Sequence, residues 1–220
     1  MILSTGQNGH VTEPRRTSRS DRMAGITKYY DDHAASYAAT TMAIDTSRQL
    51  QRLVDLLPPG ARILDAGCGS GRDLTQMARL GFEPVGVDAS VGLARIARRN
   101  SGCPVHVGDL RSLAFEDASF DGVWAMASLL HIERSELPDV LSSFSHILRP
   151  GGVMFASVKR GTDDVRDDTG RWFTLYDEDS WADHLRAAGL RVIEVIGEPA
   201  SRNAVGGKTG PGWISSLARR

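Results

Sequence analysis

Between Arg62 and Val158 the chain alternates short apolar runs with stretches of helical period, and this rhythm leaves few folds open. Arg62-Ile63-Leu64, Pro84 to Val87, Pro104 to Val107, Phe120 to Met126 and Val153 to Val158 read as strands. Leu74, Met77 and Ala78 mark a helix after the first strand, with Gly81 placed as its terminating glycine. Leu93, Ile96 and Ala97 mark the next helix. Leu137, Val140, Leu141, Phe144 and Leu148 mark another, with Ser135 as its expected N-cap. Strands that are apolar throughout are buried on both faces, so the pattern predicts βαβ units in a parallel, doubly wound α/β sheet.

The flanks depart from this rhythm. Residues 1–24 are polar and lack a hydrophobic period, which predicts a disordered leader. Cap helices are expected over 27–57, one carrying Tyr29, Tyr30 and Tyr37, the next Leu50, Leu53, Val54 and Leu57. A single domain would then run over 25–220. Residues 159–177 form a polar insertion, expected to act as a lid. Helix Trp181 to Ala188 and strand Leu190 to Ile196 follow. The glycine-rich loop Asn203 to Gly212 then leads to a last apolar stretch, Trp213 to Ala218. No crossover helix fits between those two strands, so the final pair should be antiparallel.

Bulk properties narrow the function. The formal net charge is −1, which counts against a nucleic-acid partner. The two cysteines, Cys68 and Cys103, make neither a disulfide framework nor a zinc-ligand spacing. No apolar run is long enough for a bilayer and the start lacks a signal-peptide core, so a cytoplasmic location is expected.

The chemistry concentrates at Ile63-Leu64-Asp65-Ala66-Gly67-Cys68-Gly69-Ser70-Gly71-Arg72-Asp73. Gly67, Gly69 and Gly71 follow a strand and open a helix, where backbone N–H groups are free and a ligand can approach closely. The spacing is G-x-G-x-G rather than the G-x-G-x-x-G of dinucleotide sites. Asp65, just before the glycines, suits a ligand with a cationic ammonium better than one with a pyrophosphate. Asp88 ends the second strand, about 20 residues on, where a carboxylate can hold both ribose hydroxyls. Asp109 ends the third strand and is able to accept from an adenine amino group, or to serve only as a turn residue.

Ile63 to Asp73, Gly86-Val87-Asp88, Gly108-Asp109-Leu110, Phe120-Asp121-Gly122-Val123 and Leu148-Arg149-Pro150-Gly151-Gly152 together resemble, in order, the motifs of class I S-adenosylmethionine-dependent methyltransferases. The resemblance covers roughly residues 27–220. It implies a Rossmann-like, seven-stranded sheet with six strands parallel and the last antiparallel. It implies S-adenosylmethionine as cofactor and S-adenosylhomocysteine as product, with no metal. Asp65 and the glycines would hold the methionine part, Asp88 the ribose and Asp109 with Leu110 the adenine, with Ala89 and Met126 as further cofactor-binding residues. Tyr37 matches best a tyrosine that closes over the cofactor in many relatives; Tyr30 is the alternative, and both are equally open to simple core packing. Cys68 reads as a small residue in the pattern rather than a nucleophile.

Methyl transfer is an in-line displacement, so positioning can supply much of the rate and a base is needed only where the acceptor must lose a proton. His131, after the fourth strand, is the candidate base; the competing reading is a histidine hydrogen-bonded near the next helix start. Tyr30, Lys159, Arg171, Trp172, Phe173, Tyr176 and Arg202 are the candidate substrate residues, because aromatics with cations suit a flat or anionic acceptor. A lid that packs on itself is the bland alternative. Arg72-Asp73 is also similar to tellurite- and thiol-detoxifying members, which implies a soft acceptor. The expected activity is methylation of O, N or S in a small molecule by a monomer or homodimer. The alternatives are a cofactor-binding sensor or partner subunit and, further off, an RNA methyltransferase.

Overall fold

The structure is a computed structural model, and it describes residues 19–199 and 211–220. Three helices come first: α1 (Arg19–Asp32), α2 (Ala34–Thr41) and α3 (Ser47–Val54). The first two break at His33, where φ is −113° and ψ is 13°, so the single tyrosine-bearing helix expected from sequence is two. Residues 19–24, expected to belong to a structureless leader, are instead the first turns of α1, and Met23 packs on the main core. A polar composition hid this helix because its partners lie elsewhere in the chain. Residues 1–18 lie outside the described residues.

The alternation then unfolds as β1 (Arg62–Ala66), α4 (Arg72–Arg79), β2 (Glu83–Asp88), α5 (Val91–Ser101), β3 (Val105–Val107), β4 (Phe120–Met126), α6 (Leu137–Ile147) and β5 (Leu148–Arg160). Gly81, at φ 85°, ends α4 as expected: its N–H and that of Phe82 donate to the carbonyls of Ala78 and Met77. Ser135 does not cap α6; Glu136 takes that position, and Pro138 fixes the first turn. The insertion contributes β6 (Val165–Arg166), β7 (Trp172–Phe173) and β8 (Leu175–Tyr176). Helix α7 (Glu178–Ala187), β9 (Arg191–Glu198) and β10 (Trp213–Arg219) close the fold.

The sheet order is β3-β2-β1-β4-β5-β10-β9, with β10 antiparallel to both neighbours. Six strands therefore run parallel and the last is reversed, as anticipated. The two-residue β8 adds an eighth strand beside the end of β5. Period-two alternation splits the core cleanly. Leu64, Val123, Ala125, Met154 and Ala156 face α6 and α7; Ile63, Trp124, Val153 and Phe155 face α3 and α4.

Asp73 ties the second of these layers together. Its carboxylate, 5% exposed, accepts from Arg72 Nε at 2.7 Å and Nη2 at 2.8 Å, Thr46 Oγ1 at 2.6 Å and Trp124 Nε1 at 2.9 Å. Burial alone would raise its proton affinity, but these donors hold it below the ordinary carboxylate range. The Arg72-Asp73 pair is thus an internal bidentate ion pair that orients the first turn of α4. Asp73→Ala leaves a largely buried guanidinium without its counter-charge and an indole N–H unpaired, and is expected to destabilise the fold by about 3–5 kcal/mol. Trp124→Phe, which removes one donor, should cost about 1 kcal/mol plus the lost ring area; urea denaturation of both variants reads the difference.

Candidate active site

The glycine loop is shaped as much by its neighbours as by any ligand. Gly67 takes φ 84°, and a Cβ there would lie 2.4 Å from Ser128 Cβ, so the loops after β1 and β4 touch. Gly71 takes φ 78°, and its Cβ would meet the Ala97 backbone at 2.8 Å. That third glycine answers to packing of α4 on α5, and it stands away from the pocket wall. Cys68 is buried beneath the loop, and burial pushes its thiol well above the usual range, so it is no nucleophile.

A pocket opens at the carboxyl ends of β1, β2, β3 and β4. Gly67, Gly69, Asp88, Ala89, Asp109, Leu110 and Met126 line it, as do Tyr30, Tyr37 and His131. Asp88 is fixed by backbone: Oδ2 accepts from Gly69 N–H at 2.8 Å and Oδ1 from Ser90 N–H at 2.9 Å. Burial nevertheless raises its proton affinity above the ordinary range. Asp109 caps the short turn Leu110–Ser112 and pairs with Arg111 at 2.6 Å. Burial raises its proton affinity, but the Arg111 bonds outweigh this and hold the carboxyl low. Asp109 is therefore both the turn residue and part of the wall.

Asp65 is 2% exposed under the loop, off the pocket wall, and its Oδ2 has no hydrogen-bond partner. Burial, then the Asp73 charge, holds its carboxyl well above the usual range. The loop's own N–H groups are taken, those of Gly67 and Cys68 by the Val87 carbonyl, that of Gly69 by Asp88 and that of Gly71 by the Cys68 carbonyl, so the orphaned acidic oxygen beneath them is the feature that fits a ligand bringing its own cation.

Helix α1 supplies a wall that sequence reasoning missed: Met23, Ile26 and Thr27 join Tyr30 on the pocket. Asp31 fastens this helix to the start of α5, accepting from Ser90 Oγ at 2.6 Å and Gly92 N–H at 2.9 Å. Ser128 was missed too, as was Ala127, whose φ of 55° turns the chain into the pocket after β4. A conventional amphipathic reading offers no signal for α1, because its apolar side is broken by Thr27 and Tyr30.

His131 is buried between Tyr30 and the insertion. Its Nδ1 lies 3.0 Å from the Trp172 carbonyl, which can only accept, so Nδ1 carries the proton. Nε2 is then a lone-pair acceptor, and Tyr30 donates its hydroxyl to it at 2.8 Å. Burial, with help from Arg171 and Lys159, pushes the imidazole down to about 4. Burial also raises the Tyr30 and Tyr37 phenols. The two tyrosine rings meet edge to face at 5.0 Å.

The insertion is no open lid. Tyr176 is completely buried against Trp181, at 5.3 Å between rings, so its expected place among substrate residues is corrected: it is core. Phe173 is 4% exposed and packs on Leu130 and Leu175, and Trp172 gives its carbonyl to His131. Lys159, Arg171, Trp172 and Phe173 form a shell behind His131 rather than the pocket wall. Pairing of β8 with β5 pulled these side chains inward. Arg202 lies outside the described residues.

A profile described as a methyltransferase domain matches residues 63–152. The 27-O-demethylrifamycin SV methyltransferase of Amycolatopsis mediterranei (strain S699) is 30% identical over 215 residues, covering 87% of this chain and 72% of that protein. The chain belongs to the S-adenosylmethionine-dependent methyltransferases. A ubiquinone biosynthesis O-methyltransferase of Xanthomonas axonopodis pv. citri (strain 306) is 38% identical over 116 residues, 49% of this chain and 46% of that protein. This methyltransferase thus spans under half of that second relative. Among solved structures, a Burkholderia thailandensis 1,6-didemethyltoxoflavin-N1-methyltransferase with bound 1,6-didemethyltoxoflavin and S-adenosylhomocysteine superposes with a TM-score of 0.72. It is 21% identical, and the match covers 95% of this chain and 93% of that one. The fold is that of class I methyltransferases, and S-adenosylmethionine is the cofactor. Among the described residues no cluster of His, Cys, Asp and Glu could hold a metal ion, and no helix is long and apolar enough to cross a membrane.

The buried, neutral His131 makes a stability prediction. Its folded proton affinity lies below that of an unfolded histidine, so the unfolded chain binds more protons between pH 6.5 and about 4. Its contribution is complete above pH 6.5 and is lost as pH falls toward 4. The loss amounts to about 3 kcal/mol. Urea denaturation at a series of pH values should show this acid-side loss in the wild type and a shallower one in His131→Gln. Parallel curves would refute the assignment.

Proposed function

We propose that this methyltransferase transfers the methyl group of S-adenosylmethionine to an oxygen or nitrogen of a small molecule, with His131 as the proton acceptor. The observation that carries the reading is the fixed tautomer of His131: an unprotonated Nε2 faces a pocket whose other end is built for the cofactor. When bound, the cofactor supplies an electrophilic methyl group on a sulfonium.

The residues divide by chemistry. Asp65, with an unpartnered oxygen, takes the ammonium, and Gly67 and Gly69 let the backbone come close to the methionine part. Asp88 keeps lone pairs for the ribose hydroxyls, because backbone amides hold only one position on each oxygen. Ala89, Leu110 and Asp109 suit the adenine, its ring between the apolar side chains and its amino group toward the carboxylate. Tyr37, 3.8 Å from the modest space a Gly69 Cβ would fill, closes the methionine end with Met126. Helix α1 covers the ligand and excludes water.

Tyr30 and His131 act as a unit. The acceptor's hydroxyl or amine gives up its proton as its lone pair attacks; that proton ends on His131 Nε2, through the Tyr30 hydroxyl that already donates there. Arg171 Nη1, 3.3 Å from the Tyr30 oxygen, steadies the phenol while this happens. A base pushed this low is neutral at any physiological pH, so it is always available, though weak.

Calorimetry should show S-adenosylmethionine and S-adenosylhomocysteine binding, and Asp88→Ala should weaken both about tenfold to a hundredfold. Because burial raises the Asp65 proton affinity, cofactor affinity should fall as pH falls, and Asp65→Asn should both weaken binding and flatten that dependence. Metabolite fractions incubated with methyl-labelled cofactor should yield a labelled small molecule, with His131→Ala slowing turnover about a hundredfold or more. Label appearing only in RNA or protein would reverse the acceptor assignment, and cofactor binding with no labelled product in any fraction would make the chain a sensor.

A further inference from the structure

The cavity at the strand ends carries charge of one sign. Asp88 and Asp109 line it, and no lysine or arginine among the described residues does. The cations around it are engaged elsewhere: Arg111 with Asp109 at 2.6 Å, Arg171 with Asp167 at 2.7 Å, and Lys28 with Asp32 at 2.8 Å. Lys159 stands behind the wall, its ammonium 3.5 Å from the centre of the Phe173 ring. Asp88 closes β2 and Asp109 follows β3, beside Ala89 and Leu110, so both carboxylates sit on the side that suits the cofactor's sugar and base.

Methyl transfer brings the acceptor atom to within about 3–3.5 Å of the methyl carbon. The acceptor therefore shares this cavity with the cofactor and meets the part of the wall that the cofactor leaves. That part is the inner side of α1 with the turn after β4: Met23, Ile26 and Ile132, in the same cavity as Tyr30 and His131. Its apolar members are set by packing, since Ile26 is 4% and Ile132 2% exposed and Met23 rests on the main core. Its polar groups are the hydroxyls of Thr27, Tyr30 and Ser128 and the neutral imidazole, and Ser128 Oγ has no hydrogen-bond partner. We infer that the acceptor is an uncharged molecule: an apolar body seated on Met23, Ile26 and Ile132, carrying the hydroxyl or amine that reaches Tyr30 and His131. A carboxylate on such a molecule would lose its water in a cavity that holds two carboxylates and offers no cation. An ammonium would be stranded among apolar side chains, because both carboxylates lie at the cofactor's end. A mostly apolar wall with a few uncharged polar groups selects by shape and by the one nucleophile presented to it.

This inference rests on the methyl-transfer reading of the pocket, and the test separates the two. Wild type, Ile26→Ala and Met23→Lys are each saturated with S-adenosylhomocysteine, and calorimetry confirms the loading, which also shows that the variants are folded. Three probes that share one phenol are then titrated in: 4-propylphenol with an uncharged tail, 4-hydroxyphenylacetate with an anionic one and tyramine with a cationic one. Wild type should bind 4-propylphenol at least tenfold more tightly than either charged probe. Ile26→Ala should weaken 4-propylphenol about threefold to tenfold through lost apolar contact. Met23 also lines the open crevice between α1 and the turn Leu110–Ser112, so Met23→Lys can keep its ammonium hydrated at the edge of the cavity. That variant should shift relative affinity toward 4-hydroxyphenylacetate by tenfold or more. Equal binding of the three probes by wild type, a preference for either charged one, no binding of 4-propylphenol, or preferences that neither variant alters would overturn the uncharged-acceptor assignment and leave the methyltransferase reading intact. Failure of wild type to load S-adenosylhomocysteine would bring down both.

Discussion

The Asp73 carboxylate is the constraint on which the cofactor side of the fold depends. It lies among apolar side chains, so it is tolerable only with its donors in place. Those donors come from three separate parts of the chain: Thr46 before α3, Arg72 at the start of α4, and Trp124 on β4. Satisfying one buried charge therefore fixes the cap against the central strand and orients the first turn of the helix that follows the glycine loop. Arg72 also donates to the Thr41 carbonyl, so the end of α2 is held by the same group. Asp65, one strand position before the loop, feels this charge directly, and its Oδ2 stays without a hydrogen-bond partner. The fold satisfies one carboxylate fully and leaves an oxygen of the next one without a donor.

The pocket is completed by elements remote in sequence. Helix α1 reaches across the carboxyl ends of the strands and is held at both sides: Asp31 on the start of α5, and Tyr30 and Arg22 on Arg171 and Asp164 of the insertion. Arg22 also lies 4.8 Å over the Trp172 ring, and Arg171 lies 4.5 Å over Tyr29. The insertion thus acts at second hand. Its main-chain carbonyl at Trp172 sets the proton on His131, and its cations set the field around that imidazole. A loop that looks like a substrate lid in a linear reading is the support for His131, which lines the pocket.

Much of this is legible in the order of the residues. The alternation of apolar runs predicts the parallel sheet, and the short link before Trp213 predicts the reversed last strand, because both follow from local periodicity and chain reach. Asp65, Asp88 and Asp109 end their strands where ligands of such sheets bind, and Asp88, Asp109, Gly67 and Gly69 do come together at one pocket. Gly71 shares the motif but answers to Ala97, a contact that spacing cannot reveal. Tyr176 and Phe173 carry the composition of a binding surface, yet they are core, since whether an aromatic faces a ligand or a neighbour depends on what packs over it. Met23 sits in a stretch whose composition predicts no structure, because an isolated polar segment gives no sign of a distant partner.

By itself, then, the amino-acid order determined the sheet, its reversed edge and the carboxylates near the strand ends, since these depend on local period, turn chemistry and the reach of short links. Only the tertiary structure decided that Arg72 and Asp73 are an internal pair, that α1 is a wall of the pocket, that Trp172 fixes the His131 tautomer, and that Tyr176 is core. Each of those is a question of which group lies within a few ångströms of another, and between groups far apart along the chain that distance is set by packing alone.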